Sequence, residues 1–205
     1  MKKKIQNRLK LIQNNCYELI ILKHNWFLSI MSEKITVSGN IDKLNNRLKL
    51  TQPNLLINRK VNVNDYFLGL AKLLEINKRD KPGSIFTLID ILNNNLHLFN
   101  EYEKKEIITC LSQYEINRNE YQDLIGTIKE HRDKCLSHND MKNSYCNHLN
   151  KISTKDTDKI IRDIIVFSDS LSTVFNYEKF DQERIQNDIE LLNSNFFHTI
   201  KQLEK

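Results

Sequence analysis

Apolar side chains recur along most of the chain at intervals of three and four residues, the spacing that places them on one face of an α-helix. Asn64 and Ser84 are predicted N-caps, because their side chains can accept a hydrogen bond from a first helical turn. A break at Ser38-Gly39-Asn40 and Pro53 bracket a predicted short helix over 41–50. The pattern predicts an all-α bundle of six to eight helices with mostly short connections. The other predicted helices cover 3–36, 64–76, 84–96, 101–116, 118–138, a long segment from Thr154 or Asp156, and a last segment from about Asp181.

Glycine and proline are scarce, which supports the helical prediction. The 205 residues include 4 Gly and 2 Pro, whereas an ordinary chain carries about 12% of the two together. Sandwiches, barrels and dinucleotide-binding folds need many tight turns, and turns need these residues. Those folds and any Gly-rich phosphate loop are therefore disfavoured. The length favours one domain, made of a basic helical part over 1–60, a core over 61–180 and a C-terminal helix over 181–205.

Charge is distributed unevenly along the chain. Residues 1–60 carry 12 Lys or Arg and 3 Asp or Glu, a net +9, whereas residues 61–205 carry a net −4. A basic region can attract nucleic acid or an acidic protein surface. The alternative is a solvated Lys-rich surface with no ligand. Arg47, Lys49, Lys129 and Lys134 are weak candidates for RNA contacts.

Compartment signals are few. Met1-Lys2-Lys3-Lys4 is not followed by an apolar run, and no apolar segment approaches the roughly 20 residues of a membrane span. The four cysteines, at 16, 110, 135 and 146, are scattered and form no CxxC pair. We therefore expect a cytoplasmic protein with free thiols and no membrane partner.

The segment 121–138 departs from the amphipathic pattern. Its apolar face begins with Tyr121, Leu124, Ile125 and Ile128, and the same helical spacing then reaches His131, Arg132, Cys135 and His138. The face therefore turns polar in its last turns, on the side expected to meet other protein. An inward arginine needs a partner or an anionic ligand, because an unpaired buried cation is costly. Such breaks of a local rule are typical of functional or strained sites.

Arginine and histidine together suit RNA cleavage without a metal. Imidazole can move a proton near neutral pH, and guanidinium binds phosphate through two parallel hydrogen bonds. Arg132 and His138 lie about 240° apart on an ideal helix. Convergence on one phosphate therefore needs either a helix end near Ser137 or a second copy of the chain, as at a symmetric dimer interface.

The stretch from His131 to Asp140, HRDKCLSHND, resembles the signature of HEPN domains, an arginine followed after four to six residues by a histidine. It is most similar to the abortive-infection AbiU-type branch. The segments 64–75 and 84–92 are similar to the two helices that precede the motif there. The similarity covers about residues 60–142 and implies an all-helical, HEPN-like fold.

The resemblance implies a homodimeric, metal-independent ribonuclease without cofactor, acting as a toxin or in antiphage abortive infection. It makes Arg132 and His138 the catalytic residues, with His131, Asp133, Asn139 and Asp140 in support. The implied partners are RNA and a cognate antitoxin or defence-system protein.

Two positions of this sequence depart from the family pattern. Asp133 stands where asparagine is usual, and Asp140 replaces the tyrosine that nucleotidyltransferase-paired members carry. Other HEPN proteins are non-catalytic RNA-binding or protein-binding modules, and this alternative stays open.

The residues alone leave further interpretations open. His138 can serve as a helix C-terminal cation and Arg132 as an ion-paired interface residue, with no catalysis. His131, Cys135 and His138 are spaced to face one side of a helix, and Cys110, Cys146 or His148 can complete a zinc site. Structural zinc sites rarely take three ligands from one helix, so we predict no metal.

Overall fold

The structure, a computed structural model, describes residues 1–34, 53–75, 81–120, 122–133 and 152–203, with the backbone alone at 29–34, 53–60, 116–118 and 199–203. These residues are 86% helical, form seven α-helices and contain no strand. The prediction of an all-α protein with six to eight helices is confirmed. The predicted helix over 41–50 lies outside the described residues. The helices are α1 (Lys2–Lys34), α2 (Pro53–Leu73), α3 (Ile85–Asn94), a 3₁₀ turn (Leu96–Leu98), α4 (Glu101–Asn119), α5 (Gln122–His131), α6 (Thr154–Val174) and α7 (Gln182–Leu203).

One predicted helix start is wrong, and a second is confirmed in position but not in its side-chain contact. Helix α2 begins at Pro53, so Asn64 lies inside the helix and is not an N-cap. Proline suits the first helical position, because its missing N–H has no intrahelical acceptor there. Ser84 is the N-cap residue of α3, as predicted, but its side chain makes no capping hydrogen bond to that helix. Its hydroxyl donates instead to the backbone oxygen of Glu75, at 2.6 Å.

Other helix ends follow local side-chain chemistry. The Ser153 hydroxyl accepts a hydrogen bond from the Lys155 N–H at the start of α6. Asn100 and Glu103 form a reciprocal capping box at the start of α4, since each side chain accepts from the other residue's backbone N–H at 2.8 and 3.4 Å. These contacts satisfy N–H groups that have no acceptor within the helix.

The chain divides into two compact units, one comprising Met1–Cys16 with Phe67–Phe180 and the other Tyr17–Tyr66 with Asp181–Lys205. The prediction of a single domain stays a prediction. In the first unit α4 packs against α6, and the Tyr114 and Phe167 rings lie 4.8 Å apart. The first half of α1 is bonded to the end of α6, where Gln6 Nε2 donates to the Phe175 oxygen at 3.1 Å. The fully buried side chains of the first unit include Ile5, Leu9, Ile12, Leu70, Leu88, Leu92, Ile107, Ile160, Ile164 and Leu171.

The second unit contains the later part of α1, most of α2 and α7. Tyr17 on α1 donates a hydrogen bond to Asp188 on α7, and the Arg184 guanidinium lies 4.6 Å from the centre of the Tyr17 ring. His24 and Asn193 are joined by a further hydrogen bond of 3.0 Å. Polar contacts thus join α1 to α7 alongside buried apolar residues such as Leu19 and Ile185.

Among the described residues, none of the helices combines the length and the apolar character that crossing a bilayer requires.

Candidate functional site

Helix α5 carries the motif toward its C-terminal end. Its buried face consists of Ile125, Ile128 and His131, at intervals of three residues, so the predicted change from apolar to polar on one face occurs at His131. Helix α5 ends at His131, and the wider π-type turn that follows contains Arg132 and Asp133. Such turns are frequent at functional sites.

His131 is a core side chain. It is 0% exposed, and its ring meets the Phe67 ring edge-to-face, with 5.4 Å between ring centroids and 70° between ring planes. Phe67 is itself buried on α2. A substrate at the surface therefore does not reach His131, whose role here is to pack α5 against α2.

Arg132 lies at the surface beyond the end of α5, and two carboxylates contact it. Its side chain is 23% exposed. Nε donates to the Asp133 carboxylate at 2.7 Å, and Nη1 lies 3.6 Å from Glu75 Oε1, an ion-pair distance. The hydrogen bond to Asp133 is the largest effect on the pKa of Arg132 and raises it, burial opposes this, and the charges of Asp133 and Glu75 raise the pKa further. The guanidinium is thus a permanently charged group in contact with two carboxylates.

Glu75 was absent from the site predicted from the sequence. It lies just after α2, and the Lys72 oxygen accepts its backbone N–H at 3.3 Å. In the sequence, Glu75 is recognisable as an acidic residue at the end of an apolar helix, close to the segment Lys78–Pro82. Many solvated carboxylates share that description, so the sequence does not single out Glu75.

Four of the predicted site residues lie within the part of the chain that the structure describes. Arg132 and Asp133 touch each other, and His131 precedes them in the core. Lys129 is half-buried in the last turn of α5, where a cation is favoured by the helix dipole. The remaining predicted site residues lie outside the described residues: Lys134, His138, Asn139, Asp140, Arg47 and Lys49.

The zinc alternative rests on three residues, of which only His131 is described. Cys135 and His138 lie outside the described residues. Within the described ranges, no group of three or more histidine, cysteine or carboxylate side chains is arranged to hold a metal. Cys16 is buried and Cys110 half-buried, and both are free thiols.

A groove of about 340 Å³ lies between α3 and α4. Its lining is polar at the rim, with Asp90 and Glu115 exposed, and reaches buried Tyr114. None of the site residues predicted from the sequence lines it. The candidate site at the end of α5 therefore does not belong to this groove.

Comparison of the chain with protein-family models, with curated proteins and with solved structures finds no match in any of the three.

Proposed function

We propose that this chain is a metal-independent endoribonuclease of the HEPN type, acting as a toxin or in antiphage abortive infection. The observation that carries the proposal is Arg132, a partly exposed guanidinium in the turn after α5. His138 follows it in the sequence at the spacing of the motif. The HEPN assignment itself rests on the resemblance described above, and the position of Arg132 at a helix end is compatible with it.

The proposed reaction is a transesterification within the RNA strand. A His138 imidazole removes the proton of a 2′-hydroxyl, whose oxygen attacks the adjacent phosphorus. The bond from phosphorus to the 5′-oxygen breaks, and an imidazolium returns a proton to that leaving oxygen. Arg132 stabilises the negative charge that develops on the phosphorane oxygens. The products are a 2′,3′-cyclic phosphate and a 5′-hydroxyl, and DNA does not react because it lacks the attacking group.

A homodimer accommodates this chemistry best. One imidazole acts as base and another as acid, and two copies of the chain supply two His138 side chains. Symmetric dimers bring identical segments together across a two-fold axis. Sedimentation at micromolar concentration tests the assembly. A monomer that cleaves RNA at full rate would contradict it.

The proposed substrate is single-stranded or looped RNA, because unpaired segments have the backbone freedom that in-line attack needs. The basic residues of 1–60 supply phosphate contacts, with Lys129 and Lys134 nearer the motif. Binding through such contacts weakens steeply with salt. Reversing the charge of Lys3, Lys10, Arg47 and Lys49 should therefore reduce RNA affinity and flatten its salt dependence, and an unchanged salt slope would refute this role.

The central experiment is RNA cleavage by the purified chain in EDTA. Wild type is compared with Arg132→Ala and His138→Ala, and the 3′ ends are tested for cyclic phosphate. Arg162→Ala and His97→Ala are matched controls, because both residues are exposed elsewhere in the described chain. Cleavage by wild type and both controls, but by neither motif variant, is the expected result. Equal cleavage by all five proteins would indicate a contaminating nuclease and refute the proposal.

A second function has one specific observation in its favour. Asp133 and Glu75 both contact the Arg132 guanidinium, and a carboxylate stands at 133 where the resembled family usually has a neutral side chain. An arginine bound in this way suits a non-catalytic module that binds RNA or a partner protein of a defence or toxin–antitoxin system. Under this alternative wild type binds RNA or a partner without cleaving RNA, and Asp133→Asn does not restore cleavage.

A further inference from the structure

Glu75 links Arg132 to a different part of the chain. It follows α2, whereas Arg132 follows α5, and their charged groups lie 3.6 Å apart. Both side chains are partly buried, with 23% exposure for Arg132 and 20% for Glu75. A partly buried ion pair between distant segments holds its members more firmly than an exposed pair does, since water and salt screen it less.

Glu75 is itself held in place by the turn Lys81–Ser84. Its backbone oxygen accepts the Ser84 hydroxyl at 2.6 Å, and its second carboxylate oxygen lies 3.9 Å from Lys81 Nζ. The turn is closed by the Ser84 N–H, which donates to the Lys81 oxygen at 3.0 Å. Backbone and side chain of Glu75 are thus both constrained by one short turn.

Helix α1 fixes that turn in its position. Asn15 Nδ2 donates to the Gly83 oxygen at 3.2 Å. Arg8, only 4% exposed, points Nη1 at the Lys81 oxygen at 3.5 Å. A continuous series of contacts therefore runs from α1 through the turn and Glu75 to the guanidinium of Arg132.

Asp133 contacts the same guanidinium but differs from Glu75 in two ways. It is the next residue in the sequence, so its bond to Nε orients the guanidinium only relative to the end of α5. It is also 59% exposed, so it can turn away into water when an anion binds. Glu75 forms an ion pair at Nη1 and supplies the long-range constraint, so the two carboxylates act on different atoms of the group.

We propose that Glu75 is a positioning residue, which orients the Arg132 guanidinium toward the scissile phosphate through the Nη1 contact. This inference rests on the proposed ribonuclease function. Glu75 touches neither RNA nor the reacting atoms. Its carboxylate sets the direction of Arg132, and the turn Lys81–Ser84 sets the position of Glu75.

The first arm of the test is steady-state RNA cleavage by Glu75→Gln. Loss of the constraint misplaces the guanidinium in the transition state, and misplacement by about 1 Å lowers rates by as much as about 100-fold. We expect kcat to fall about 10- to 100-fold with KM little changed. Glu115→Gln, an exposed carboxylate on α4, is the matched control and should cleave like wild type. A lower KM with unchanged kcat would show that Glu75 merely competes with phosphate, and would overturn the proposal.

The second arm needs no cleavage. Exchange of the two Nη groups of Arg132 by rotation about the Cζ–Nε bond is measured by nitrogen NMR, with the resonance assigned by its loss in Arg132→Lys. Glu75→Gln should speed this exchange, because the contact that it weakens is at Nη1. Asp133→Asn should alter the Nε–H signal instead. Unchanged Nη exchange in Glu75→Gln would overturn the positioning role.

The two arms separate the failure of this inference from the failure of the function. If wild type cleaves no RNA, the proposed function is refuted, and with it any positioning for catalysis, whatever the NMR shows. If wild type cleaves and Glu75→Gln cleaves equally well, only the positioning role is refuted. Should Glu75→Gln fold poorly, Ser84→Ala removes one constraint on Glu75 and keeps its charge, and a reduced kcat with normal folding is then the expected result. An unchanged kcat in a folded Ser84→Ala variant would refute the claim that the turn Lys81–Ser84 sets the position of Glu75.

Discussion

Gly126 offers a sharp test of helix α5, the helix that carries the candidate site. It lies in the helix interior and is exposed, and a Cβ added there would meet no atom within 4 Å. Glycine in a helix interior costs about 0.8–1 kcal/mol relative to alanine. Gly126→Ala should therefore raise the free energy of unfolding by about that amount, which corresponds to about 2–4 °C in Tm for a chain of this size.

Gly83 is the matched position where the same substitution should have the opposite effect. A Cβ there would lie 2.6 Å from Asn15 Nδ2, the group that donates to the Gly83 oxygen. Reduced entropy of the unfolded chain favours alanine by about 0.4–1 kcal/mol. Against this, the amide must move, and a lost hydrogen bond costs about 0.5–1.5 kcal/mol in addition to the steric strain. We expect Gly83→Ala to lower stability by up to about 1 kcal/mol.

Urea unfolding followed by far-UV circular dichroism measures both effects. The midpoint should rise for Gly126→Ala and fall for Gly83→Ala, each with an unchanged slope. In an Asn15→Ala background the obstruction at Gly83 is gone, so Gly83→Ala should become neutral or stabilising. A lower midpoint for Gly126→Ala would refute an exposed helix interior at 126. A cost at Gly83 that persists without the Asn15 amide would refute the contact as its cause.

Three further predictions use the same purified protein. Asn176 follows α6 and has a left-handed φ of 49°. Asn176→Val should therefore lower the free energy of unfolding by about 1–2 kcal/mol, whereas Asn176→Gly should not lower it. Equal effects of the two substitutions in urea titrations would contradict this prediction. The hydrogen bond from Lys2 lowers the pKa of Glu103. The ionised Glu103 carboxylate therefore stabilises the fold at pH values above the ordinary carboxyl pKa, and this stabilisation is lost as the pH falls through the lowered pKa. Glu103→Gln keeps the capping box and should flatten the loss of stability on acidification, whereas Glu115→Gln should not; identical pH profiles for wild type and Glu103→Gln would refute the pair. Burial raises the pKa of the Cys16 thiol. In a variant whose other three cysteines are replaced by serine, Ellman's reagent should therefore react with Cys16 only as fast as the protein unfolds. Fast reaction with the native protein would show that Cys16 is accessible.

Most helix positions were well predicted, apart from the start of α2 at Pro53, but the burial of individual residues was predicted less well. The expected apolar residues of α6 are buried from Ile160 to Leu171. On α1, however, Phe27 falls on the helical spacing of the buried Cys16, about three turns earlier, and yet is 56% exposed, while Leu28 is 7% exposed. Two neighbouring apolar residues also differ in burial on α4, where Ile107 is buried and Ile108 is 43% exposed. Neighbouring residues lie about 100° apart on a helix, so when both are apolar only the packing partner decides which one is buried.

The candidate site was predictable only in its local part. The end of the apolar face at His131 and the need of Arg132 for a partner both followed from helical spacing. The contact of His131 with Phe67 was not predicted, because helical spacing places His131 on the inner face without identifying the residue that it packs against. Glu75 was missed for a related reason, since its relation to Arg132 depends on how α2 and α5 are packed.

The sequence by itself determined the all-α class, the approximate extent of most of the helices and the point on α5 where polar residues replace apolar ones. These are local properties, set by the period of apolar side chains and by the scarcity of Gly and Pro. Only the tertiary structure decided that the side chain of the N-cap residue Ser84 binds the Glu75 backbone rather than the first turn of α3, and that Glu75 meets Arg132. Contacts between residues far apart in the sequence depend on the packing of whole helices, which many sequences with the same period share. The partner of Arg132 is therefore a property of the fold.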